Sequence, residues 1–174
     1  MQKIFFKTFG CRTNIYDTEL LKSYIKDYEI TNDEEVADIV VINSCTVTNS
    51  ADSGVRNYIN GVKRRGAKEL FASGIYGVLG ASKKSDLNEL LKQEKPFFEL
   101  GNLNSVDKNI VTNYENHTKA FIKIQEGCNF NCSYCIIPSV RGRARSMDEA
   151  MILKEARILA QNGYNELVLT GTNI

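Results

Sequence analysis

The sequence predicts an α/β fold built on a parallel sheet, because short apolar runs alternate with longer segments of helical period. Strands are predicted over 3–8 and 39–42, and the second run consists of β-branched residues, which is typical of a strand buried on both faces. Helices are predicted over 17–28 and 51–65, and a shorter strand over 76–79. Strands and helices that alternate in this way indicate a parallel sheet with helical crossovers.

A second α/β unit is predicted in the last third of the chain. Strands over 120–125 and 167–169 flank a helix, and a capping box formed by Ser146 and Glu149 is predicted to start that helix. The helix is expected to end near Gly163. Two parallel strands and one helix leave an open sheet edge, so we expect this unit to be cut off.

The predicted organisation has a first domain over 1–100, a linker over 101–119 and a truncated second domain over 120–174. The linker is assigned because that stretch is polar, rich in asparagine and without a clear period.

Composition places the chain in a reducing compartment. It has 174 residues, a formal net charge of +1 and no run long enough to cross a membrane. Charges at Lys3 and Lys7 interrupt the first residues too early for a secretory signal, so a cytoplasmic location without a membrane is predicted. Disulfides are not expected there, and the five cysteines indicate metal binding or catalysis.

Three of the cysteines, Cys128, Cys132 and Cys135, form a C-x3-C-x2-C motif. Structural zinc takes four ligands, and no fourth cysteine or histidine lies nearby. Three thiolates suit a [4Fe–4S] cluster with one open iron better. The spacing, with the aromatic Tyr134 before the third cysteine, resembles radical S-adenosylmethionine (SAM) enzymes, in which the open iron binds SAM.

The other two cysteines, Cys11 and Cys45, each follow a predicted strand. Carboxyl ends of parallel strands meet at one edge of a sheet, so we expect the two cysteines to lie close together. The alternative is a pair of buried core cysteines, but their place in turns beside Gly10 and Asn43 favours a functional role.

A basic run, Arg141-Gly142-Arg143-Ala144-Arg145, follows the motif. We expect Arg143 and Arg145 to pair with nucleic-acid phosphates or with the SAM carboxylate, and a solvated loop is the alternative. The earlier run Lys63-Arg64-Arg65 is predicted to be a solvated face.

Four segments together resemble the radical SAM methylthiotransferases, and the similarity covers nearly the whole chain. These segments are Thr8–Asn14, Ile42–Thr46, Lys123–Pro138 and Arg141–Ser146. Within that family, Gly10–Asn14 and the end of the chain are most similar to the branch that modifies N6-threonylcarbamoyladenosine beside the tRNA anticodon.

The resemblance implies a transferase whose second domain begins a partial (β/α) barrel. It implies a [4Fe–4S] cluster on Cys128, Cys132 and Cys135, and SAM bound near Tyr134, Arg143 and the turn Thr170-Gly171-Thr172-Asn173. An auxiliary cluster is implied on Cys11, Cys45 and a third cysteine. The implied partners are tRNA and an electron donor such as flavodoxin, and the implied enzyme is monomeric.

The third auxiliary cysteine is missing from this sequence. In the family it follows a strand, and here Lys68 passes directly to Glu69. We expect that roughly a dozen residues have been omitted at this junction, since deletion of a central strand would disrupt the sheet. Most of the barrel and a small RNA-binding domain are also expected to be absent, so we expect the chain as given not to complete methylthiolation.

Two other kinds of function remain open at this point. The first is a methylthiotransferase for isopentenyladenosine in tRNA or for a ribosomal protein, which shares the chemistry and differs in substrate. The second is a non-catalytic metal-binding module that contacts RNA.

Overall fold

The computed structural model describes residues 1–45, 49–64, 77–93, 95–107, 109–115 and 117–174, with the backbone alone at 49, 63 and 64. Several predicted features fall outside the described residues. They are Thr46 of the family-like segment Ile42–Thr46, the side chains of the run Lys63-Arg64-Arg65, the junction of Lys68 with Glu69 and the first residue of the strand predicted over 76–79.

The first sheet is parallel, as predicted, with strand order β2-β1-β3. Its longest pairing runs in register from Ile4 opposite Ile39 to Phe9 opposite Ser44. The elements are β1 (Lys3–Phe9), α1 (Arg12–Tyr24), β2 (Glu29–Ile30), β3 (Ile39–Ser44) and α2 (Asn49–Arg64), with a 3-10 turn at Glu34–Val36.

The first helix differs from the prediction over 17–28. It starts at Arg12, directly after the extended residue Cys11, and ends at Tyr24 because Ile25 is extended. Polar residues near its start, Asn14 and Asp17 among them, are buried. Their partners include Arg141 and Lys123 of the second unit, and a local hydrophobic period cannot reveal such long-range contacts.

The expectation that β3 is buried on both faces is wrong. Only Ile39 is buried, at 8% exposure, and the rest of the strand is half-buried. One reason is a cavity of about 990 Å³ that β3 lines together with Val78 and Phe97. The described residues on the far side of this cavity form a separate parallel pair, β4 (Gly77–Leu79) with β5 (Phe97–Glu99). A 3-10 helix over Ala81–Asp86 and α3 (Leu87–Leu90) connect these two strands.

The last third forms a second α/β unit, as predicted. Strands β6 (Ala120–Lys123) and β9 (Leu167–Thr170) are parallel, and β7 (Gln125–Glu126) and β8 (Arg145–Ser146) form a short antiparallel pair. The helices are α4 (Ile137–Arg141) and α5 (Glu149–Gln161). Among the described residues no helix is both long and apolar enough to cross a membrane.

The capping box predicted at Ser146 and Glu149 is not what starts α5. Ser146 lies in β8, where it pairs with Gln125. The cap is Asp148, whose Oδ1 accepts a hydrogen bond from the backbone N–H of Met151 at 3.1 Å. The shift follows from where the helix begins, because Glu149 is its first residue and not its third, so Ser146 lies two positions before the cap.

One hydrophobic core joins the two units. It contains Tyr16 and Leu20 of α1, Ile122 of β6 and Leu159 of α5, and it includes Val111 and Tyr114 from the predicted linker. The backbone N–H of Tyr114 donates to the hydroxyl of Tyr164 at 2.7 Å. The stretch over 101–119 therefore packs against both units, in contrast to the polar linker that its composition suggests.

Candidate active site

The three-cysteine loop runs from β7 to α4; its first cysteine is bonded to the residue after α4, and its last two cysteines are joined by a turn. The N–H of Cys128 donates to the carbonyl of Gly142 at 3.1 Å, and the N–H of Cys135 donates to the carbonyl of Cys132 at 3.0 Å. All three thiols are free; Cys132 is exposed, and Cys128 and Cys135 are half-buried. Tyr134 lies on the same loop and is 92% exposed.

The loop begins at a residue that only glycine can occupy without strain. Gly127 has φ +76, and a Cβ on it would lie 2.1 Å from the carbonyl oxygen of Arg143. The backbone beside Cys128 therefore packs directly on the segment that follows α4.

The thiols of this loop fit a [4Fe–4S] cluster by their chemistry. They are three free cysteines on one accessible loop, and no histidine or carboxylate lies among them to complete a zinc site. Their side chains do not converge in the structure, since the described residues contain no group of three potential ligands in metal-binding positions. Binding of a cluster requires these side chains to turn toward one another.

Cys11 and Cys45 lie together, as expected from their places after β1 and β3. The N–H of Cys45 donates to the carbonyl of Phe9 at 3.0 Å, and a Cβ on Gly10 would lie 2.7 Å from the Cβ of Cys45. Cys11 is exposed and Cys45 is buried. Both are free, but two thiols do not match the three-cysteine set that the resemblance implies for an auxiliary cluster.

Residues of both units, this cysteine pair included, line one cavity of about 440 Å³. Cys11 and Cys45 line one side of it, and Gly171, Thr172 and Arg141 line the other. Of the predicted SAM-binding turn, Gly171 and Thr172 thus face the first-domain cysteines. Thr170 is buried, with its hydroxyl 3.4 Å from that of Thr13.

Gln125 is a site residue that the sequence analysis missed. Its Oε1 accepts from the N–H groups of Thr172 at 2.9 Å and Asn173 at 3.0 Å. Its Nε2 donates to the carbonyl of Gly127 at 2.8 Å. One side chain therefore joins the turn after β9 to the start of the cysteine loop, and its position just before Glu126-Gly127 was the available signal.

Comparisons with known proteins match both halves of the chain. The sequence profile described as uncharacterized protein family UPF0004 matches residues 3–99, and that of the radical SAM superfamily matches residues 122–174. The chain belongs to the UPF0004 family and carries a radical SAM segment. The resemblance to radical SAM methylthiotransferases and the predicted α/β fold class are thereby confirmed.

Relatives of this radical SAM protein are named as methylthiotransferases. It is 49% identical over 191 residues to a Helicobacter pylori (strain ATCC 700392 / 26695) protein with a provisional methylthiotransferase name, covering 100% of this chain and 46% of the relative. It is 37% identical over 197 residues to the threonylcarbamoyladenosine tRNA methylthiotransferase MtaB of Aquifex aeolicus, covering 99% of this chain and 48% of the relative. A Parabacteroides distasonis tRNA-2-methylthio-N(6)-dimethylallyladenosine synthase is 30% identical over 202 residues, covering 99% and 44%.

The chain spans about half the length of the curated relatives it matches. The alignment with the Helicobacter relative runs over 191 positions, more than the 174 residues of this chain, so the relative contains residues without a counterpart here.

In this radical SAM segment the two arginines that were expected to contact phosphate or SAM have different surroundings. Arg143 is exposed, which leaves its predicted role open. Arg145 instead bonds to Glu126 Oε2 at 3.1 Å and to the carbonyl oxygens of Ser105 at 2.9 Å and Arg141 at 2.7 Å. These bonds commit its guanidinium within the protein, in contrast to the expectation that it contacts phosphate or SAM.

Proposed function

We propose that this protein is a tRNA methylthiotransferase that converts N6-threonylcarbamoyladenosine at position 37 of tRNA into its 2-methylthio derivative. The observation that carries the proposal is the order of sites along one chain: Cys11 and Cys45 line a cavity with Gly171 and Thr172, and the Cys128 loop is bonded to the segment after α4. The names of the Aquifex and Bacillus subtilis relatives, both MtaB, support the substrate.

The residues of this chain divide the work of radical chemistry. Cys128, Cys132 and Cys135 would hold a [4Fe–4S] cluster, which with bound SAM would supply the radical chemistry needed at C2 of the adenine. Gln125 fixes the turn of Thr172 and Asn173, whose backbone lies on the rim where SAM is expected. Exposed Arg143 offers a cation to a phosphate or to the SAM carboxylate.

The cavity between the units suits a nucleoside in size. Its volume of about 440 Å³ lies within the range of ordinary small-ligand sites. Cys11 and Cys45 line one side and Thr172 the other, so a base held there lies between the two halves of the site.

The proposal has further parts that concern the whole protein. They are a second cluster on Cys11, Cys45 and a third cysteine outside this sequence, tRNA as substrate, an electron donor such as flavodoxin, a monomeric state and a cytoplasmic location. The domain bounds 1–100, 101–119 and 120–174 also remain predictions.

A second candidate substrate is dimethylallyladenosine in tRNA. Some relatives that act on this nucleoside by name are as similar to this chain as some MtaB proteins are. The Parabacteroides synthase and the MtaB of Rickettsia prowazekii are both 30% identical to it. Mass spectrometry of tRNA nucleosides decides between the two substrates.

The test is deletion of the gene that encodes this sequence, followed by mass spectrometry of tRNA nucleosides from the host. We expect 2-methylthio-N6-threonylcarbamoyladenosine to disappear, N6-threonylcarbamoyladenosine to accumulate and the gene to restore the product. Loss of the methylthiolated dimethylallyl nucleoside instead would establish the second candidate, and unchanged tRNA nucleosides would refute both.

A further inference from the structure

A buried network of charged side chains crosses from the first unit to the second. The Nζ of Lys123 lies 2.8 Å from Asp17 Oδ1 and 3.0 Å from Asp107 Oδ2, although Lys123 is only 1% exposed. Lys84 bonds to the same two carboxylates at 3.3 Å and 2.8 Å. Glu126 extends the network by pairing with two arginines, Arg141 at 3.0 Å and Arg145 at 3.1 Å.

Asp17 and Lys123, at the centre of this network, stay charged in the folded protein. Burial by itself raises the pKa of Asp17, but the surrounding cations, Lys123 first, hold it well below its ordinary value. Burial lowers the pKa of Lys123, but the neighbouring carboxylates, Asp17 first, raise it above its ordinary value. Removing one partner would leave another charge buried without compensation, so the geometry of the network is tightly determined.

Arg141 occupies the end of this network nearest to the shared cavity. Its Nη1 lies 3.0 Å from Glu126 Oε1 and 3.6 Å from Asp17 Oδ2, and its Nη2 donates to Asn14 Oδ1 at 3.3 Å. One planar guanidinium therefore bonds at the same time to α1 of the first unit and to β7 of the second. A lysine has a single nitrogen and cannot reproduce this fork.

Arg141 is one contact away from Cys11 on one side and from Cys128 on the other. Asn14 Oδ1 also accepts from the thiol of Cys11 at 3.7 Å. On the other side, the carbonyl of the next residue, Gly142, accepts the N–H of Cys128. Arg141 itself lines the cavity with Cys11 and Cys45.

We propose that Arg141 is a positioning residue that sets the Cys11–Cys45 face of the first unit against the Cys128 loop and the Thr172 turn of the second. Its guanidinium acts through Asn14 on one side and through the backbone at Gly142 on the other. The proposal rests on the proposed function, because it concerns how two parts of one reaction site are held at a fixed separation.

The first test replaces Arg141 in the chromosomal gene and measures the ratio of methylthiolated to unmodified nucleoside. Arg141→Lys keeps the charge but not the fork, and we expect about a tenfold lower ratio, the loss typical of one charge-assisted hydrogen bond. The control is Arg157→Gln on the exposed face of α5, which should match the wild type. No product from the wild-type gene would refute the proposed function, whereas a full ratio with Arg141→Lys would refute the inference alone.

The second test separates positioning from general stability. In the purified product of the full-length gene, Arg141→Lys should raise the amount of 5′-deoxyadenosine formed per methylthiolated product about tenfold, because SAM cleavage continues while sulfur transfer slows. Without cluster, hydrogen exchange at the Cys128 amide should rise in Arg141→Lys and stay at the wild-type rate in Arg157→Gln. An unchanged product ratio together with unchanged exchange would overturn the proposal.

The third test keeps the proposal falsifiable if Arg141→Lys folds poorly. Asn14→Ala removes the side-chain acceptor that Arg141 shares with the thiol of Cys11, and it leaves the ion pairs of Arg141 with Asp17 and Glu126. We expect the same uncoupling in Asn14→Ala, and a double variant that is no worse than either single one, since both changes break one connection. Losses that multiply in the double variant, or full coupling in Asn14→Ala, would show that Arg141 does not act through Asn14.

Discussion

At the scale of the residue, the cysteines of the Cys128 loop have free thiols, and Cys132 is exposed to solvent. Cys132 is exposed, has no disulfide and lies between two cysteines that share its loop, so its side chain is free to turn toward a ligand. Asn14 and Arg141 are the opposite case, because their side chains are fixed by partners far away in sequence, across 127 positions. The first kind of residue can be found from spacing alone, and the second kind only from the folded chain.

Replacement of Cys132 by alanine should abolish binding of an intact [4Fe–4S] cluster at the loop. With three thiolates only one of the four irons lacks a protein ligand. With two thiolates a second iron lacks one as well, so the cluster is no longer held firmly. The measurement is iron and sulfide content with Mössbauer spectroscopy after anaerobic reconstitution. Ser133→Ala, at the exposed neighbouring position, is the control and should bind the cluster like the wild type. A wild-type spectrum from Cys132→Ala would contradict the assignment of this loop.

At the scale of the element, local pattern predicted which segments are helices and strands better than where they begin. The β-branched run over 39–42 predicted β3, and the Cys11 and Cys45 turns were expected to meet at the carboxyl edge of the sheet, as they do. The start of α1 was missed because its first turns bury polar residues against the second unit. The start of α5 was misplaced because Ser146 and Asp148 are both good capping residues, and only the structure shows that Asp148 is the cap.

Asp148 and Ser146 allow the start of α5 to be tested by stability. Asp148→Ala should lower the free energy of unfolding by about 1 kcal/mol, because the N–H of Met151 loses its capping acceptor. Ser146→Ala should change it by less than about 0.5 kcal/mol, as is usual for an exposed side chain away from such features. Urea denaturation of the two variants and the wild type measures both values. If Ser146→Ala lost more free energy of unfolding than Asp148→Ala, the capping box predicted from the sequence would be right.

At the scale of the whole molecule, the two units are held as one body by a common core and by buried polar contacts. Val111 and Tyr114 join that core from a stretch whose composition is that of a linker, so composition alone could not predict their burial. The side chain of Glu155 on α5 is 2% exposed and accepts the N–H of Val111 at 3.0 Å. It lies where α5, the 101–119 stretch and Tyr16 of α1 meet.

Glu155 should make the stability of the whole assembly depend on pH. Burial raises the pKa of Glu155 to about 7, and the bond from Val111 and the charge of Lys123 offset this only in part. In the unfolded chain the Glu155 carboxyl loses its proton near its ordinary pKa of 4.5. Between pH 4.5 and about pH 7 the folded chain therefore binds more protons than the unfolded one. The free energy of unfolding should therefore fall as pH rises through this window and level off above pH 7.

Glu155→Gln removes this titration and keeps an oxygen that can accept from Val111. Urea unfolding at pH 5 and pH 8 should show that the wild type loses about 2 kcal/mol more than the variant between the two conditions, somewhat less than the full shift of pKa would give. The difference arises because the wild type must keep a carboxylate buried at pH 8 or give up the contact that ties α5 to the 101–119 stretch. Glu149→Gln, at an exposed position on the same helix, controls for the loss of a charge and should follow the wild-type pH dependence. Equal pH dependence in the wild type and in Glu155→Gln would mean that the carboxyl of Glu155 is solvated in the folded protein, and the shared core would then be less tightly closed around it than the structure indicates.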